Sequence, residues 1–253
     1  MIGITGNRGF VGSAIEQKVK NSVGLDIVDG YDVTDEQDIK HAFQPLKKGD
    51  TVIHCAAEAD VGAPWNRAFQ TNCVGTFQIG EYCSHNGLNL LNVSSITTRY
   101  PTASAYAHSK KMQEEIAERA DCNSITVRLP NVVGAGHKKG NVHHMIQQAK
   151  DGGPVEAWYN GTGIRSYVSV QDVADELIEI AVNGWNEKDR YEYVDSKVLS
   201  TKTVAGIVAE QFEGVEVEVV EKTASSPKKL TFVDNEDYNP VNAIVRQANN
   251  YGE

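Results

Sequence analysis

Tyr106 and Lys110 stand four residues apart in Tyr106-Ala107-His108-Ser109-Lys110. On a helix this spacing puts the phenol and the ammonium on one face, near enough to act on one ligand. A cation beside a phenol favours the phenolate, bringing a pKa of about 10 down toward a range useful for taking a proton at neutral pH. Hydroxyls able to steady a reacting oxygen occur just upstream, at Ser95 first, then Ser94 and Thr97. Such a Tyr/Lys pair also arises by chance on many helices. Its meaning depends on the elements that position it.

The stretch 105–120 is rich in Ala, Glu, Lys, Gln and Met and lacks Gly and Pro, which predicts a helix. At the start of the chain, Met1 to Thr5 reads as a short strand. It runs into Gly6-Asn7-Arg8-Gly9-Phe10-Val11-Gly12 and then into a helix over 13–21. A strand that breaks at a glycine and re-enters as a helix is the layout of a phosphate-binding turn. The glycines admit a close backbone approach, and the helix N-terminus offers its N–H groups. The spacing is GxxGxxG rather than the GxGxxG of the common fingerprint.

A second strand over 23–26 ends in Asp26, placed to take both hydroxyls of an adenosine ribose and to repel a 2′-phosphate; Asp29 is the alternative. Asp32-Val33-Thr34-Asp35 reads as the end of a third short strand, with Thr34 capping a helix over 35–43. The run 50–57 is an apolar strand ending in Ala56 and Ala57, small residues suited to a backbone passing close to a ligand. A helical pattern over 66–86 contains Asn72, and strands follow at 89–95 and 124–129. Strand and helix thus alternate through the first 130 residues, which predicts a parallel, doubly wound α/β sheet with ligands at the carboxyl ends of its strands. Further on, 141–151 is amphipathic and 190–194 reads as a return strand to the main sheet. Thr201 or Ser200 caps a helix over 202–212, and 215–220 alternates as a strand.

The chain's 253 residues are enough to bury a real core, and 40% hydrophobic with 23% charged content is ordinary for a globular protein. A net charge of −10 argues against a general nucleic-acid or anionic-membrane binder, while leaving room for an anionic small ligand at a local site. No membrane-length apolar run or leader pattern is seen, so a cytoplasmic location is expected. Cys55, Cys73, Cys83 and Cys122 show no CxxC spacing and are expected as reduced thiols. His143 and His144 are adjacent rather than helically spaced, and no metal site is expected.

These residues resemble the extended short-chain dehydrogenases/reductases of the NAD-dependent epimerase/dehydratase type. The matching motifs run in order: Thr5-Gly6-x-x-Gly9-Phe10-Val11-Gly12, His54-Cys55-Ala56-Ala57, Asn72-x-x-Gly75-Thr76, Val93-Ser94-Ser95, Tyr106-x-x-x-Lys110, Arg128-Leu129-Pro130-Asn131-Val132-Val133-Gly134, and Gly161-Thr162-Gly163-Ile164-Arg165 leading into Asp172. Asp237-Tyr238-Asn239-Pro240 resembles the family's C-terminal signature. The resemblance implies a Rossmann-type NAD-binding domain over 1–130 plus about 165–195, and a small C-terminal α/β substrate-binding domain over about 131–164 and 196–253. It implies NAD held by Gly6, Arg8, Gly9, Phe10, Val11, Gly12, Asp26, Asp32, Val33, Ala56, Ala57, Asn72, Val93, Tyr106, Lys110 and Pro130. Sugar-nucleotide contacts fall at Ser95, Asn131, Asn141 and Arg165, with Arg246 a weaker candidate. Ser95, Tyr106 and Lys110 would be catalytic.

The implied activity is epimerisation of a nucleotide sugar, UDP-glucose/UDP-galactose 4-epimerase-like, through a 4-keto intermediate. The alternatives are an NAD(P)-dependent reductase or dehydrogenase and a non-enzymatic dinucleotide sensor. Family 4,6-dehydratases carry Thr-Asp-Glu where this chain has Ser95-Ile96-Thr97, so the acid/base pair that dehydration needs is missing. Only 96–105 links Ser95 to Tyr106, where family members have a longer loop that shapes the sugar pocket. The resemblance also implies a homodimer through the helices at 66–86 and 105–120.

Overall fold

The structure, a computed structural model, describes residues 1–183, 189–192, 196–223, 229–230 and 234–250. The first half folds as β1 (Ile2–Thr5), α1 (Phe10–Lys18), β2 (Ser22–Leu25), α2 (Glu36–Ala42), β3 (Thr51–His54), α3 (Trp65–Phe69), α4 (Gly75–Asn86), β4 (Asn89–Ser95), α5 (Ala105–Glu118) and β5 (Ser124–Leu129). It continues with β6 (Asn131–Val133), α6 (Gly140–Lys150), β7 (Val155–Ala157), β8 (Ile164–Ser169), α7 (Val170–Asn183), β9 (Asp189–Glu192), β10 (Lys197–Ser200), α8 (Thr201–Ala209), β11 (Val217–Val219), β12 (Lys229–Leu230) and α9 (Val241–Asn249).

One compact unit comprises Met1–Leu129 and Asp172–Glu192. Its sheet is parallel throughout, in the order β2-β1-β3-β4-β5-β9. β1 and β3 are buried along their whole length, as central strands covered on both faces are, and Ile4, Ile53, Leu90 and Leu91 are fully buried. One side packs Ile39, Phe43, Ile79, Cys83 and Ala117 from α2, α4 and α5 against the sheet. The chain leaves β1 in one direction for β2 and returns on its other side for β3. The fold's switch point therefore lies between β1 and β3, where ligands of such sheets bind.

A buried relay ties this switch point together. The Thr76 hydroxyl donates to the Asn72 carbonyl at 2.7 Å, so it accepts from His54 Nε2–H at 2.8 Å. His54 Nδ1 then accepts from the Thr5 hydroxyl at 2.7 Å, whose oxygen accepts from the Ala56 N–H at 3.0 Å. One neutral imidazole thus links β1, the end of β3 and α4.

The second unit comprises Pro130–Gln171 and the described residues from 196 onward. β8 pairs with β6 and β12 in parallel and with β10 antiparallel, while β7 pairs with β11. Its core gathers Ile146, Val155, Tyr167, Val204, Val208 and Ile244.

Several local expectations are corrected. Asp32 and Val33 end no strand; Asp32 accepts from the Thr34 N–H and hydroxyl at 2.8 Å each, closing a turn. The α2 cap is Asp35, not Thr34, because the Asp35 carboxylate reaches the N–H groups of Gln37 and Asp38. The pattern over 66–86 is two helices joined by a π-turn, Gln70–Val74. The chain rejoins the first unit at Asp172 rather than at about 165, because β8 pairs within the second sheet. β9 ends at Glu192, and the remainder of the strand expected over 190–194 lies outside the described residues. Ser200, not Thr201, caps α8.

The relay makes a prediction about acid. Burial pushes His54 down to about 3, whereas the unfolded chain restores an ordinary imidazole. Below the unfolded value the unfolded state binds the extra proton, so stability is complete above about pH 6.5 and falls as the pH drops toward 3. Between pH 7 and pH 5 the loss through His54 is expected to be ~2 kcal/mol. Urea unfolding at both pH values should show it, and His54→Asn should flatten the difference.

Candidate active site

The glycine turn is built by contact. Gly6 has a φ of +68°, and a Cβ there would lie 2.8 Å from the Ala56 nitrogen. A Cβ on Gly12 would lie 2.1 Å from the Gly6 carbonyl oxygen, so α1 enters directly against the end of β1. Gly9 donates to the Gly6 carbonyl and precedes α1 without a side-chain cap, with Phe10 and Val11 in the first turn. The first turn of α1 has no side-chain cap and no acidic residue, a helix start that suits a pyrophosphate.

Asp26 is buried and accepts from the N–H groups of Arg8 and Val28 at 3.0 Å each. A carboxylate has about four acceptor sites, so two remain for ribose hydroxyls. Asp29 instead pairs with Arg8 Nε at 2.7 Å, and the geometry favours Asp26 for the ribose. The same contact engages Arg8. Its guanidinium is held by Asp29 and, at 3.0 Å, by Glu16, neutral pairings that compete with a pyrophosphate. Val33 is buried in the core, close enough to α4 that a Cβ on Gly75 would meet it at 2.7 Å.

Asn72, in the π-turn, is fully buried. Its Oδ1 accepts from Glu58 N–H at 2.8 Å, and its Nδ2 donates to the Glu58 carbonyl and to Ser109 Oγ at 3.1 and 2.9 Å. Both amide protons are thus engaged. Asn72 clamps the loop after Ala56 and Ala57 onto α5.

The catalytic candidates meet at the carboxyl end of β4. The Ser95 hydroxyl lies close enough to the Tyr106 phenol to pull its pKa down. Its Oγ also accepts from the N–H and hydroxyl of Thr97, at 3.2 and 3.0 Å. With both those donors turned toward it, the Ser95 hydroxyl is left to donate to the phenol oxygen. Ser94, the second-choice hydroxyl, points away and donates to Glu114 at 2.8 Å. Lys110 is buried, and its Nζ donates to the Val93 carbonyl at 2.7 Å. Burial brings it down to about 8, against the pull of Cys55, Glu114 and Cys73.

The phenol itself runs against the sequence expectation. Burial raises the Tyr106 pKa, and Ser95 only partly offsets this. The Lys110 ammonium donates to the Val93 carbonyl. The resting phenol is therefore protonated. The structure also brings in residues that the sequence reading passed over: Glu114, fully buried, and Arg128, which grips it through Nε and Nη2 at 2.7 and 2.8 Å. The available signal was Arg128 itself, a charge inside an otherwise apolar strand, which requires a buried partner.

Apart from Ser95, the residues expected to contact substrate lie in the second unit, with Pro130 buried at its start. Asn131 donates to the Ser166 carbonyl at 2.9 Å, and Asn141 donates to the Tyr167 hydroxyl. Arg165 is buried, donates to the Ile164 carbonyl at 2.9 Å and stacks 5.8 Å over the Tyr159 ring. Tyr159 and Asn160 before it have φ values of 57° and 54°, so this loop is held in a conformation that ordinary side chains seldom adopt. Arg246 is exposed on α9. Among the described residues no group of three or more His, Cys, Asp or Glu could hold a metal, all four cysteines are free, and no helix is long and apolar enough to cross a membrane.

A parallel sheet with a glycine turn at its switch point, and a Ser, Tyr and Lys gathered at β4, define the extended short-chain dehydrogenase/reductase class. Residues 2–194 match the NAD dependent epimerase/dehydratase family, and the chain belongs to it. NAD is the cofactor of that family, and the cradle at Gly6, Gly9 and Gly12 fits it. Among curated proteins, the chain is similar to a Streptomyces dTDP-4-dehydro-6-deoxy-D-allose reductase, 28% identical over 187 residues, covering 60% of this chain and 57% of that one. It is also similar to a Mycobacterium tuberculosis dTDP-4-dehydrorhamnose reductase, 29% identical over 205 residues, covering 72% and 66%. The chain thus spans under two thirds of the length of either relative. Its fold matches the Thermus thermophilus UDP-glucose 4-epimerase solved with NAD, with a TM-score of 0.81 at 20% identity, covering 98% of each chain.

The close approach at Gly12 is testable. Gly12→Ala is expected to weaken NAD binding by roughly 100-fold or more, because the added methyl forces α1 off the Gly6 carbonyl. Calorimetric titration with NAD checks this; an unchanged affinity would remove the turn from the cofactor site.

Proposed function

We propose that the chain catalyses NAD-dependent epimerisation at C4 of a nucleotide sugar of the UDP-glucose/UDP-galactose kind, through a transient 4-keto sugar. The observation that carries this reading is Lys110, buried and anchored to the Val93 carbonyl one helical turn from Tyr106, with Ser95 close enough to act on the phenol. Bound NAD supplies a reversible hydride acceptor. To take the proton of the sugar hydroxyl and later return it, Tyr106 must act as a phenolate, so this reading requires that the phenol first give up its own proton to solvent. Ser95, already oriented as a donor by Thr97, holds the same oxygen as it becomes a carbonyl. Lys110 holds the nicotinamide ribose. In the second unit, Arg165 grips the diphosphate, with Asn131 and Asn141 as further contacts. Dehydration is disfavoured because the stretch after Ser95 presents a buried Ile96, and a Thr97 engaged with Ser95, in place of an acid/base pair.

A second reading is a net reductase of a 4-keto sugar nucleotide. The protonated resting state of Tyr106 favours it, since a phenol is ready to protonate the alkoxide that hydride delivery creates. The reductase names of the curated relatives support it as well. We also propose a homodimer formed through α4 and α5, a surface on which Phe77 is 52% exposed.

Tyr106→Phe separates chemistry from binding. It is expected to lower turnover of UDP-glucose by ~10²–10⁴-fold while leaving NAD affinity within about twofold. Steady-state rates and NAD titration on the same preparation check this, and surviving turnover would contradict the mechanism.

A further inference from the structure

Lys110 is a buried ammonium that donates to the Val93 carbonyl, an acceptor without charge. A cation in that position is costly unless an anion is near. The groups that act on it come from every element packed around it. His54 comes from β3 and Cys55 from just beyond it, Cys73 from the π-turn, and Glu114 from α5 itself; Tyr106 lies one turn back on α5. Burial raises the two thiols to about 12 and about 11, so at neutral pH both are uncharged, and His54, at about 3, is neutral as well. Tyr106 is a phenol. Of these groups Glu114 is the one carboxylate, and it acts on the ammonium through space rather than by direct contact.

Glu114 follows Lys110 by one helical turn and is fully buried on the same face of α5. Its carboxylate accepts two hydrogen bonds from Arg128 on β5, at 2.7 and 2.8 Å, and one from Ser94 on β4 at 2.8 Å. Lys111 approaches it from the outer side at 3.7 Å. A carboxylate so gripped stays ionised and cannot turn away. Ser94 and Val93 are consecutive on β4, so the strand that orients Glu114 is the strand that receives Lys110.

We propose that Glu114 is a positioning residue, the fixed counter-charge that keeps Lys110 an ammonium seated against β4, with Arg128 and Ser94 holding it in register. This rests on the reading of Lys110 as a ligand of the nicotinamide ribose, but its test needs no turnover.

The experiment labels the full chain with lysine carrying ¹³C at Cε and follows each Cε signal with pH by NMR, Lys110 being assigned from Lys110→Arg. In the wild type, Lys110 is expected to titrate near pH 8, well below surface lysines at about 10.4. Glu114→Gln removes the counter-charge and is expected to lower that midpoint by about one unit or more. Ser94→Ala is the gentler variant. It strips one donor from the carboxylate, leaves more of its charge to act on Lys110, and is expected to raise the midpoint by a few tenths of a unit. A purely structural role for Glu114 would move neither midpoint in these opposite directions.

A Lys110 signal that titrates with the surface lysines in the wild type overturns the proposal, even if Glu114→Gln does not fold. So does a midpoint indifferent to both substitutions. The alkaline limb of UDP-glucose turnover should move with the NMR midpoint. NMR shifts of the expected sign in a protein that turns over no UDP-glucose would count against the epimerase reading and leave the role of Glu114 standing.

Discussion

Four consecutive residues of β4 each hold one residue of α5, and the candidate site depends on that seam. The Asn92 side chain accepts from Gln113 at 2.6 Å, the Val93 carbonyl from Lys110 at 2.7 Å, Ser94 donates to Glu114 at 2.8 Å, and Ser95 meets Tyr106. A single such bond contributes about 1 kcal/mol net, but breaking a buried charged pair costs several times that. The helix therefore cannot slide along the strand by one residue without exposing an unpaired charge. That constraint sets where the phenol and the ammonium sit, more firmly than their spacing in a helix alone could.

The second constraint is the crossing of β1 with the end of β3. Two glycines without side chains let the Gly6 carbonyl, Ala56 and the start of α1 come within contact of one another. The Thr5–His54–Thr76 relay holds the same crossing from beneath. The cofactor cradle after β1 and the Ser–Tyr–Lys group at β4 and α5 thus flank β3 in one sheet, and the relay passes through Asn72 to Ser109 of α5. This is the placement that reversible hydride and proton transfer at a single carbon requires.

Much of this was legible in the sequence. The alternation of apolar runs with Gly-free helical stretches predicts a parallel sheet, and the order of the motifs from Gly6 to Arg165 places the chain in its family. Features set by tertiary packing were not legible. The direction of the Tyr106 shift depends on how far the phenol is buried, which does not follow from an i,i+4 spacing. Arg8 could not be seen to pair with Asp29 and Glu16, because those partners come together only when β2 closes on the glycine turn. Asp32 and Val33 look like a strand end by composition, but the Asp32 side chain bonds its own backbone two residues on and closes a turn. Glu114 reads as one charge among several on an amphipathic helix until Arg128 is seen beside it.

The central claim, a redox site that returns the hydride it takes, is tested most directly by denaturing the purified protein, assaying the nucleotide released, and incubating native protein with UDP-glucose and UDP-galactose without added cofactor. The account predicts NAD retained through purification, interconversion of the two sugars and no net NADH. Cofactor that washes away, with net oxidation or reduction only when it is supplied, would contradict it and identify a reductase.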